Sequence, residues 1–220
     1  KEGKIHSQIF IYFFFFFIFM ITKRFQLHNF LINNKTVFLR VDYNIPLKDN
    51  KILDNTKIKA SLNTIKFLLE KNCKIILATH LGNPKGKVIS NLSTKVILKE
   101  LKNLLPNEKI FWLEDCIGKE IKEKITQAKP RQIFLLENLR FYKEEEENDF
   151  SFAHSLADLA QVYVNEAFAV CHRKHASVSA ITNFIPAVTG INLEQEITNL
   201  NKALIAKKPA VWIMGGAKLD

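Results

Sequence analysis

TVFLRVDYNIP, residues 36–46, is an apolar run that changes abruptly to polar residues. Its β-branched and aromatic residues predict a strand from Thr36 to Val41. A second apolar run, Lys74 to Thr79, has no polar face and is typical of a strand buried in a parallel sheet. Ligands of such sheets bind just beyond the carboxyl ends of the strands. We therefore expect the polar residues that follow each strand to form a binding site.

Helical periods separate the apolar runs along the rest of the chain. Asp54, Asn55 and Thr56 offer capping oxygens to a helix whose apolar residues run from Ile58 to Leu69. Further helices are predicted over 93–104, 118–127, 152–159 and 192–206, and further strands over 110–112, 132–136, 162–165 and 210–214. This alternation predicts an α/β fold, a doubly wound parallel sheet with helices on both faces.

The composition is that of a globular protein with a basic surface. Hydrophobic residues make up 47% of the 220 residues and charged residues 25%, which indicates a folded rather than a disordered chain. The formal net charge of +10 is typical of proteins that bind nucleic acid, anionic membranes or small anions, although a lysine-rich surface alone would also produce it. The widely spaced Cys73, Cys116 and Cys171 indicate reduced thiols rather than a disulfide framework.

The N-terminal residues need an explanation of their own. Ile9 to Ile21 is an unbroken apolar run, shorter than the roughly 20 residues that a helix needs to cross a bilayer. Lys23 and Arg24 follow, where a signal peptide would have small residues at its cleavage site. We expect Met20 to be the true start and residues 1–19 to be a spurious or non-globular extension. A membrane anchor is the alternative.

Anion-binding side chains follow four of the predicted strands. Arginine binds carboxylate and phosphate oxygens two at a time, and glycine lets backbone N–H groups approach the same oxygens. Brought together at one edge of a sheet, such residues would suit a small ligand with several negative charges. They are Asp42 and Asn44 after the first strand, His80, Gly82, Asn83 and Gly86 after the second, Arg140 after residues 132–136, and His172, Arg173, Lys174 and His175 after residues 162–165.

These segments together resemble the phosphoglycerate kinase family. The matching motifs are RVDYNIP (40–46), THLGNPKG (79–86), LENLRFY (136–142), VNEAF (164–168) and HRKHAS (172–177). GGAK (215–218) is similar to the opening of that family's second domain. We therefore expect residues 20–206 to form a phosphoglycerate-binding α/β domain that ends in an interdomain helix, and residues 207–220 to begin a nucleotide-binding second domain that is truncated.

The resemblance implies a glycolytic enzyme of the cytoplasm, a phosphotransferase that moves a phosphoryl group between 1,3-bisphosphoglycerate and ADP to give 3-phosphoglycerate and ATP. The chain would hold the glycerate, and Mg-ATP or Mg-ADP would bind as co-substrate mainly beyond Asp220, without a tightly bound protein-ligated metal. A monomer with no nucleic-acid or membrane partner is implied. The implied substrate-binding residues are Asp42, Tyr43, Asn44, Lys57, His80, Leu81, Gly82, Asn83, Arg140 and Arg173; the implied catalytic residues are Lys57 and Lys218, of which Lys218 also binds the nucleotide.

The sequence departs from the family within these motifs. Lys57 and Asn83 stand where the family has arginine, and Glu166 stands where it has aspartate. Lysine keeps the charge but loses the planar fork, and asparagine loses the charge. Loss of one such donor at a transition state costs on the order of 100-fold in rate. A catalytically inactive anion-binding domain without its nucleotide lobe is therefore the second hypothesis, and we expect the 220-residue chain alone to turn over nothing.

Other signals in the sequence are weaker. The net charge alone supports a third hypothesis, a nucleic-acid or membrane-surface protein, which a steep salt dependence of DNA or liposome binding would favour. Gly82 to Lys87 lacks the spacing of a phosphate loop. Cys171, His172 and His175 lack a further pair of ligands for a structural metal. Glu144 to Glu147 is interpreted as a solvated loop or the start of a helix.

Overall fold

A computed structural model describes residues 25–205 and Val211. Its strands are β1 (Thr36–Arg40), β2 (Leu47–Lys48), β3 (Lys51–Ile52), β4 (Lys74–Ala78), β5 (Ile110–Trp112), β6 (Ile133–Leu135), β7 (Val162–Asn165) and β8 (Ala187–Thr189). A six-stranded sheet has the order β5-β6-β4-β1-β7-β8, and each neighbouring pair is parallel. β2 and β3 form a separate antiparallel hairpin.

Near the middle of the sheet, β1 lies between strands from distant parts of the chain. Leu39 is opposite Leu77 of β4 on one side and opposite Val164 of β7 on the other. After β1 the chain builds β4, β5 and β6 on the first side and then crosses to β7 and β8 on the second. The loops after β1, β4 and β7 therefore leave the same edge side by side, where doubly wound sheets place their ligands.

Helices cover both faces of the sheet. They are α1 (Thr56–Ala60), α2 (Leu62–Glu70), α3 (Lys95–Leu104), α4 (Lys119–Thr126), α5 (Lys143–Glu146), α6 (Phe150–Ala157) and α7 (Ile191–Leu204), with short 3-10 helices at Leu27–Asn29, Ser90–Leu92, Leu139–Phe141, Phe168–Val170 and Ala180–Asn183. Because strand side chains alternate, Val37 and Leu39 pack in the core formed with α1, α2 and α3, whereas Phe38 packs in the core formed with α4 and α6. The predicted doubly wound α/β fold is confirmed.

Most predicted helices and strands agree with the structure to within a few residues, but the first helix is broken. Ser61 separates α1 from α2, and its hydroxyl donates to the carbonyl oxygen of Ile58 over 2.8 Å. The hydroxyl of Tyr43 in turn donates to Ser61 over 2.7 Å. A serine hydroxyl that competes for backbone partners interrupts a helix in this way. β8 and the β2–β3 hairpin were not predicted from the sequence, because each of these strands is only two or three residues long.

Some predictions fall outside the described residues. The predicted strand over 210–214 is described only at Val211, and residues 1–19 and Lys218 are not described. The proposed domain boundaries therefore stay predictions. Within residues 25–205, no helix combines the length and the apolar character needed to cross a bilayer. All three cysteines are free thiols, and only Cys171 is exposed.

Candidate functional site

The loops that follow β1 and β4 are joined directly to each other. The backbone N–H of Gly82 donates to the side-chain oxygen of Asn44 over 2.9 Å. The backbone N–H of Tyr43 donates to the hydroxyl oxygen of Thr79 over 2.9 Å. Gly82 has φ +64°, and an added Cβ would lie 2.8 Å from the side chain of Leu92, so this turn requires glycine. The two loops thus form one surface at the carboxyl edge of the sheet.

Asn138, in the loop after β6, joins this third loop to the second. It is fully buried, and its side-chain oxygen accepts the backbone N–H groups of Leu81 (3.3 Å) and Arg140 (3.1 Å). Its amide nitrogen donates to the carbonyl oxygens of Leu81 (2.7 Å) and Leu92 (2.9 Å). One side chain therefore fixes both backbone segments, and Arg140 is directed to the edge where Gly82 lies.

Arg140 is a buried cation with unused hydrogen-bonding capacity. Its Nη1 donates to the carbonyl oxygen of Gly82 over 3.1 Å, and its Nε lies 3.3 Å from a carboxylate oxygen of Glu146 without a hydrogen bond. Burial lowers the pKa of Arg140; Glu146 opposes that shift, while Arg173 and Arg40 add to it. A guanidinium in this position favours an anion nearby, because a buried charge without a full set of partners is costly.

Asp42 and Lys57 form an ion pair at the mouth of the β1 loop. Lys57 Nζ lies 2.7 Å from Asp42 Oδ2, and the backbone N–H of Asn44 donates to Asp42 Oδ1 over 3.1 Å. Asp54 accepts the backbone N–H of Thr56 over 2.8 Å, which starts α1 and places Lys57 in its first turn. The Lys57 side chain keeps 45% of its surface exposed and Asp42 only 13%. Lys57 can therefore leave Asp42 for an anionic ligand without unfolding the loop.

Arg173 completes the basic set from the fourth loop, after β7. It is exposed, and its charge adds to the effect of burial in lowering the pKa values of Arg140 and His175. The loops after β1, β4 and β6 are thus hydrogen-bonded at one edge of the sheet, and the loop after β7 leaves the same edge.

His80 lies beneath this surface as a neutral imidazole. It is 3% exposed, and its Nδ1 lies 3.2 Å from Nη2 of Arg40. Burial, followed by the charges of Arg40 and Arg140, lowers the pKa of His80 to about 2. His80 can therefore offer a hydrogen bond at neutral pH, but not a charge.

Comparison with known proteins places the chain in a family. The family model described as phosphoglycerate kinase matches residues 27–220.

The chain belongs to the phosphoglycerate kinase family.

Named members of the family are similar over most of the chain. The phosphoglycerate kinase of Moorella thermoacetica is 46% identical over 190 residues, which are 86% of this chain and 48% of that protein. The phosphoglycerate kinase of Desulforapulum autotrophicum is 50% identical over 191 residues, 86% of this chain and 49% of that protein. The chain thus spans about half the length of the curated relatives it matches.

Solved phosphoglycerate kinases share the fold. The structure from Coxiella burnetii has a TM-score of 0.74 at 29% identity and the one from Pyrococcus horikoshii a TM-score of 0.75 at 35% identity. Each comparison covers 84% of this chain and 46% of the solved one.

Two of the residues that the family resemblance implied as substrate ligands are part of the core. Tyr43 is fully buried with its hydroxyl on Ser61, and burial raises its pKa. Leu81 is 1% exposed, and both its backbone N–H and its carbonyl oxygen are bonded to Asn138. The Tyr43 side chain does not reach the surface that Asn44, Gly82 and Arg140 share, whereas Leu81 lines the pocket that adjoins it. Their contribution is to hold the loops in place.

Asn83, which follows Gly82 in the chain, is exposed, and its role in binding stays a prediction. Lys218, the implied nucleotide ligand, lies outside the described residues.

Glu145 corrects the interpretation of the glutamate run. α5 begins there as one alternative predicted, but Glu145 is fully buried rather than solvated. Its carboxylate accepts the backbone N–H of Ser177 over 2.9 Å and the Ser177 hydroxyl over 2.6 Å. Arg40, also fully buried, donates its Nε–H to the same hydroxyl oxygen over 2.8 Å. Sequence reasoning missed this trio. The sequence offered one signal for Arg40: it is a charged residue at the end of a strand whose other residues are apolar or small.

Glu166 connects the site to α7. It is 4% exposed and accepts the hydroxyl of Thr64 (2.5 Å) and the backbone N–H groups of Asn192 (3.1 Å) and Leu193 (3.4 Å). Burial raises its pKa, and these hydrogen bonds partly oppose the shift. It therefore caps the first turn of α7 from the end of β7, and no Cβ would fit at Gly190 beside it.

Two open pockets adjoin the shared surface. One of about 430 Å³ includes Asn44 and Gly82 and extends to the β2–β3 hairpin. Another, of about 220 Å³, is lined by Asp42, Lys57 and Glu166 together with residues of α7. Within residues 25–205, His, Cys, Asp and Glu side chains form no group of three or more that could hold a metal ion.

Proposed function

We propose that this chain is the glycerate-holding part of a phosphoglycerate kinase, which transfers a phosphoryl group from 1,3-bisphosphoglycerate to ADP, giving 3-phosphoglycerate and ATP, and catalyses the reverse reaction. The observation that carries the proposal is the convergence of Asn44, Gly82 and Arg140 on one hydrogen-bonded surface, with Asp42 and Lys57 beside it. Such a surface presents cations and N–H donors to a small acid that has a carboxylate at one end and a phosphate at the other.

Each residue has a role in this proposal. Asp42 and Asn44 orient the hydroxyl and carboxylate of the glycerate. Arg140 and Arg173 bind its charged oxygens, and His80 adds a neutral donor. Lys57 leaves Asp42 to stabilise charge on the transferring phosphoryl group, in the place where other members of the family use arginine. No covalent enzyme intermediate is needed, since phosphoryl transfer depends mainly on alignment and neutralisation of charge.

The nucleotide side of the reaction belongs to the same proposal. Mg-ATP or Mg-ADP is the co-substrate, and its metal ion would neutralise phosphate charge during transfer. Lys218 contacts the nucleotide phosphates or the transferring group. We propose that the enzyme acts in glycolysis, in the cytoplasm and as a monomer, and that these 220 residues bind the glycerate weakly without turnover.

The binding test uses calorimetric titration of the 220-residue chain with 3-phosphoglycerate, and with glycerol 3-phosphate, which lacks the carboxylate. We expect the first ligand to bind more tightly. Arg173→Met should weaken 3-phosphoglycerate binding about tenfold, the effect of losing one charge-assisted contact. The matched control is Arg131→Met, at the opposite edge, where Arg131 pairs with Glu108. Equal affinities for the two ligands, or equal effects of the two arginine substitutions, would reject the proposal.

A catalytically inactive anion-binding domain is the second candidate. Lys57 and the exposed Asn83 favour it, because the site has less fixed positive charge than the family pattern provides. The two candidates differ in ATP-dependent activity of the complete gene product in a coupled assay. Binding of 3-phosphoglycerate without turnover by that product would favour the second candidate.

A further inference from the structure

We propose that Arg40 is a positioning residue, which holds His80 in the neutral tautomer with its proton on Nε2, so that the ring offers a ligand one N–H donor and no charge. The tautomer follows from Arg40 and its contacts alone. Only the statement that this donor serves the glycerate rests on the proposed function.

In the contact between Arg40 and His80, the guanidinium is the donor. Arg40 Nη2 lies 3.2 Å from His80 Nδ1, and both side chains are buried. A guanidinium has donors and no acceptor, whereas each imidazole nitrogen donates or accepts according to its proton. Nδ1 must therefore accept, and the proton of the neutral ring is left on Nε2. Nε2 makes no hydrogen bond within residues 25–205, so its N–H is available to a ligand.

Arg40 is held in place by two further hydrogen bonds. Its Nε donates to Ser177 Oγ over 2.8 Å and its Nη1 donates to the carbonyl oxygen of Val41 over 2.5 Å. Ser177 donates its own proton to Glu145, so its oxygen is free to accept from Arg40. The buried carboxylate of Glu145 thus balances the buried guanidinium through one serine. All three guanidinium nitrogens of Arg40 are hydrogen-bonded, which fixes its orientation toward His80.

The charges around the His80 ring disfavour its protonation. The charged and titratable groups that face His80 are Arg40 in β1, Lys57 in α1, Arg140 in the 3-10 helix after β6, and His175 in the loop after β7. Burial is the main cause that opposes protonation of His80, and each of these groups opposes it further. His175 is itself held toward its neutral form by burial, and within residues 25–205 none of the groups that face His80 favours an imidazolium there. His80 therefore stays a neutral donor over the physiological range.

The deciding measurement is long-range ¹H–¹⁵N NMR of the ligand-free, ¹⁵N-labelled 220-residue chain, with the His80 signals assigned by their loss in His80→Gln. We expect a protonated Nε2 and an unprotonated Nδ1 that do not change between about pH 5 and 8. A proton on Nδ1, or a titration midpoint near the ordinary histidine value of about 6.5, would overturn the proposal.

The role of Arg40 is tested by replacing the cation together with its buried counter-charge, as Arg40→Met with Glu145→Gln, so that no lone charge is left inside. His80 should then titrate and populate both tautomers. In that variant, affinity for 3-phosphoglycerate relative to the unsubstituted chain should rise roughly five- to tenfold on acidification, because a charged donor replaces a neutral one. Arg131→Met, at the opposite edge, should leave the His80 signals unchanged. An unchanged His80 in the double variant would overturn the proposal.

If the double variant does not fold, a measurement on the unsubstituted chain still tests the role of Arg40. A through-hydrogen-bond ¹⁵N–¹⁵N coupling between Arg40 Nη2 and His80 Nδ1 in the unsubstituted chain identifies the donor directly, and a coupling to any other donor would reject Arg40. If the tautomer is as expected but 3-phosphoglycerate leaves the Nε2 signal unshifted, the proposed function fails while the positioning role stands.

Discussion

The site has a buried part, the floor, and an exposed part, the rim, and their polar residues differ in how they are bonded. The floor consists of Arg40, His80, Asn138, Arg140, Glu145 and Ser177, which are all buried and bonded to one another or to the loop backbones. The rim consists of Asp42, Lys57, Asn83 and Arg173, whose side chains reach solvent. Floor residues should therefore affect both folding and binding, and rim residues should affect binding almost alone.

Asn138 should show the largest effect, because one side chain satisfies four backbone groups in the floor. Asn138→Ala leaves these groups without partners, and we expect the free energy of unfolding to fall by about 3–5 kcal/mol in urea denaturation. The exposed Asn91 is the control, and Asn91→Ala should change stability by no more than about 0.5 kcal/mol. Similar losses at both positions would contradict the assignment of Asn138 to the floor.

His80 should make stability depend on pH. The pKa of His80 falls from 6.5 to about 2 on folding, so below pH 6.5 only the unfolded chain binds this proton. The contribution is complete above pH 6.5 and is lost on acidification, by roughly 1.4 kcal/mol per pH unit. His80→Gln should remove that slope from the denaturation series, whereas the exposed His154→Gln should keep it. Parallel curves for His80→Gln and the unsubstituted chain would show that the ring is not neutral in the folded protein.

Lys57 on the rim should separate binding from stability. Lys57→Met is expected to weaken 3-phosphoglycerate binding about tenfold while changing the free energy of unfolding by less than about 1 kcal/mol, since the pair with Asp42 is partly exposed. Lys59, also exposed and on the same helix, supplies the control Lys59→Met, which should alter neither quantity. Calorimetry and denaturation of the two variants test this, and equal affinities would remove Lys57 from the site.

Asn83 should give the smallest change. Asn83→Arg adds to the rim the charge that the family has there, and we expect affinity for 3-phosphoglycerate to rise about threefold, as a solvent-exposed ion pair allows. Gln127→Arg adds the same charge at the end of α4, away from the site. Because both substitutions raise net charge equally, a matching increase with Gln127→Arg would attribute the effect to general electrostatics.

The strands and the positions of most rim residues were predictable from sequence because their signals are local, whereas Lys57 was named only through the family resemblance. Apolar runs gave β1 and β4, and polar residues directly after them gave Asp42 and Asn44. His80 and Arg140 of the floor were named from the sequence, but the hydrogen bonds that connect the floor were not predictable, since they join distant positions: Arg40 and Ser177 are 137 residues apart. Four glutamates in a row are locally equivalent, and only the packing of α5 selects Glu145 for burial. β8 was missed because three residues carry too little periodicity to indicate a strand.

The first turn of helix α7 is held by the Glu166 cap and by Thr64. Its first turn is hydrogen-bonded to β7 through Glu166, and the N–H of Ile191 donates to Thr64 of α2 over 3.0 Å, whereas Leu200 and Asn201 near its other end are exposed. A 14-residue helix is about 21 Å long, so a tilt of roughly 10° at the fastened turn displaces the far end by about 4 Å. The Glu166 carboxylate that caps this turn also borders the pocket of Asp42 and Lys57, so α7 begins beside the ligand surface.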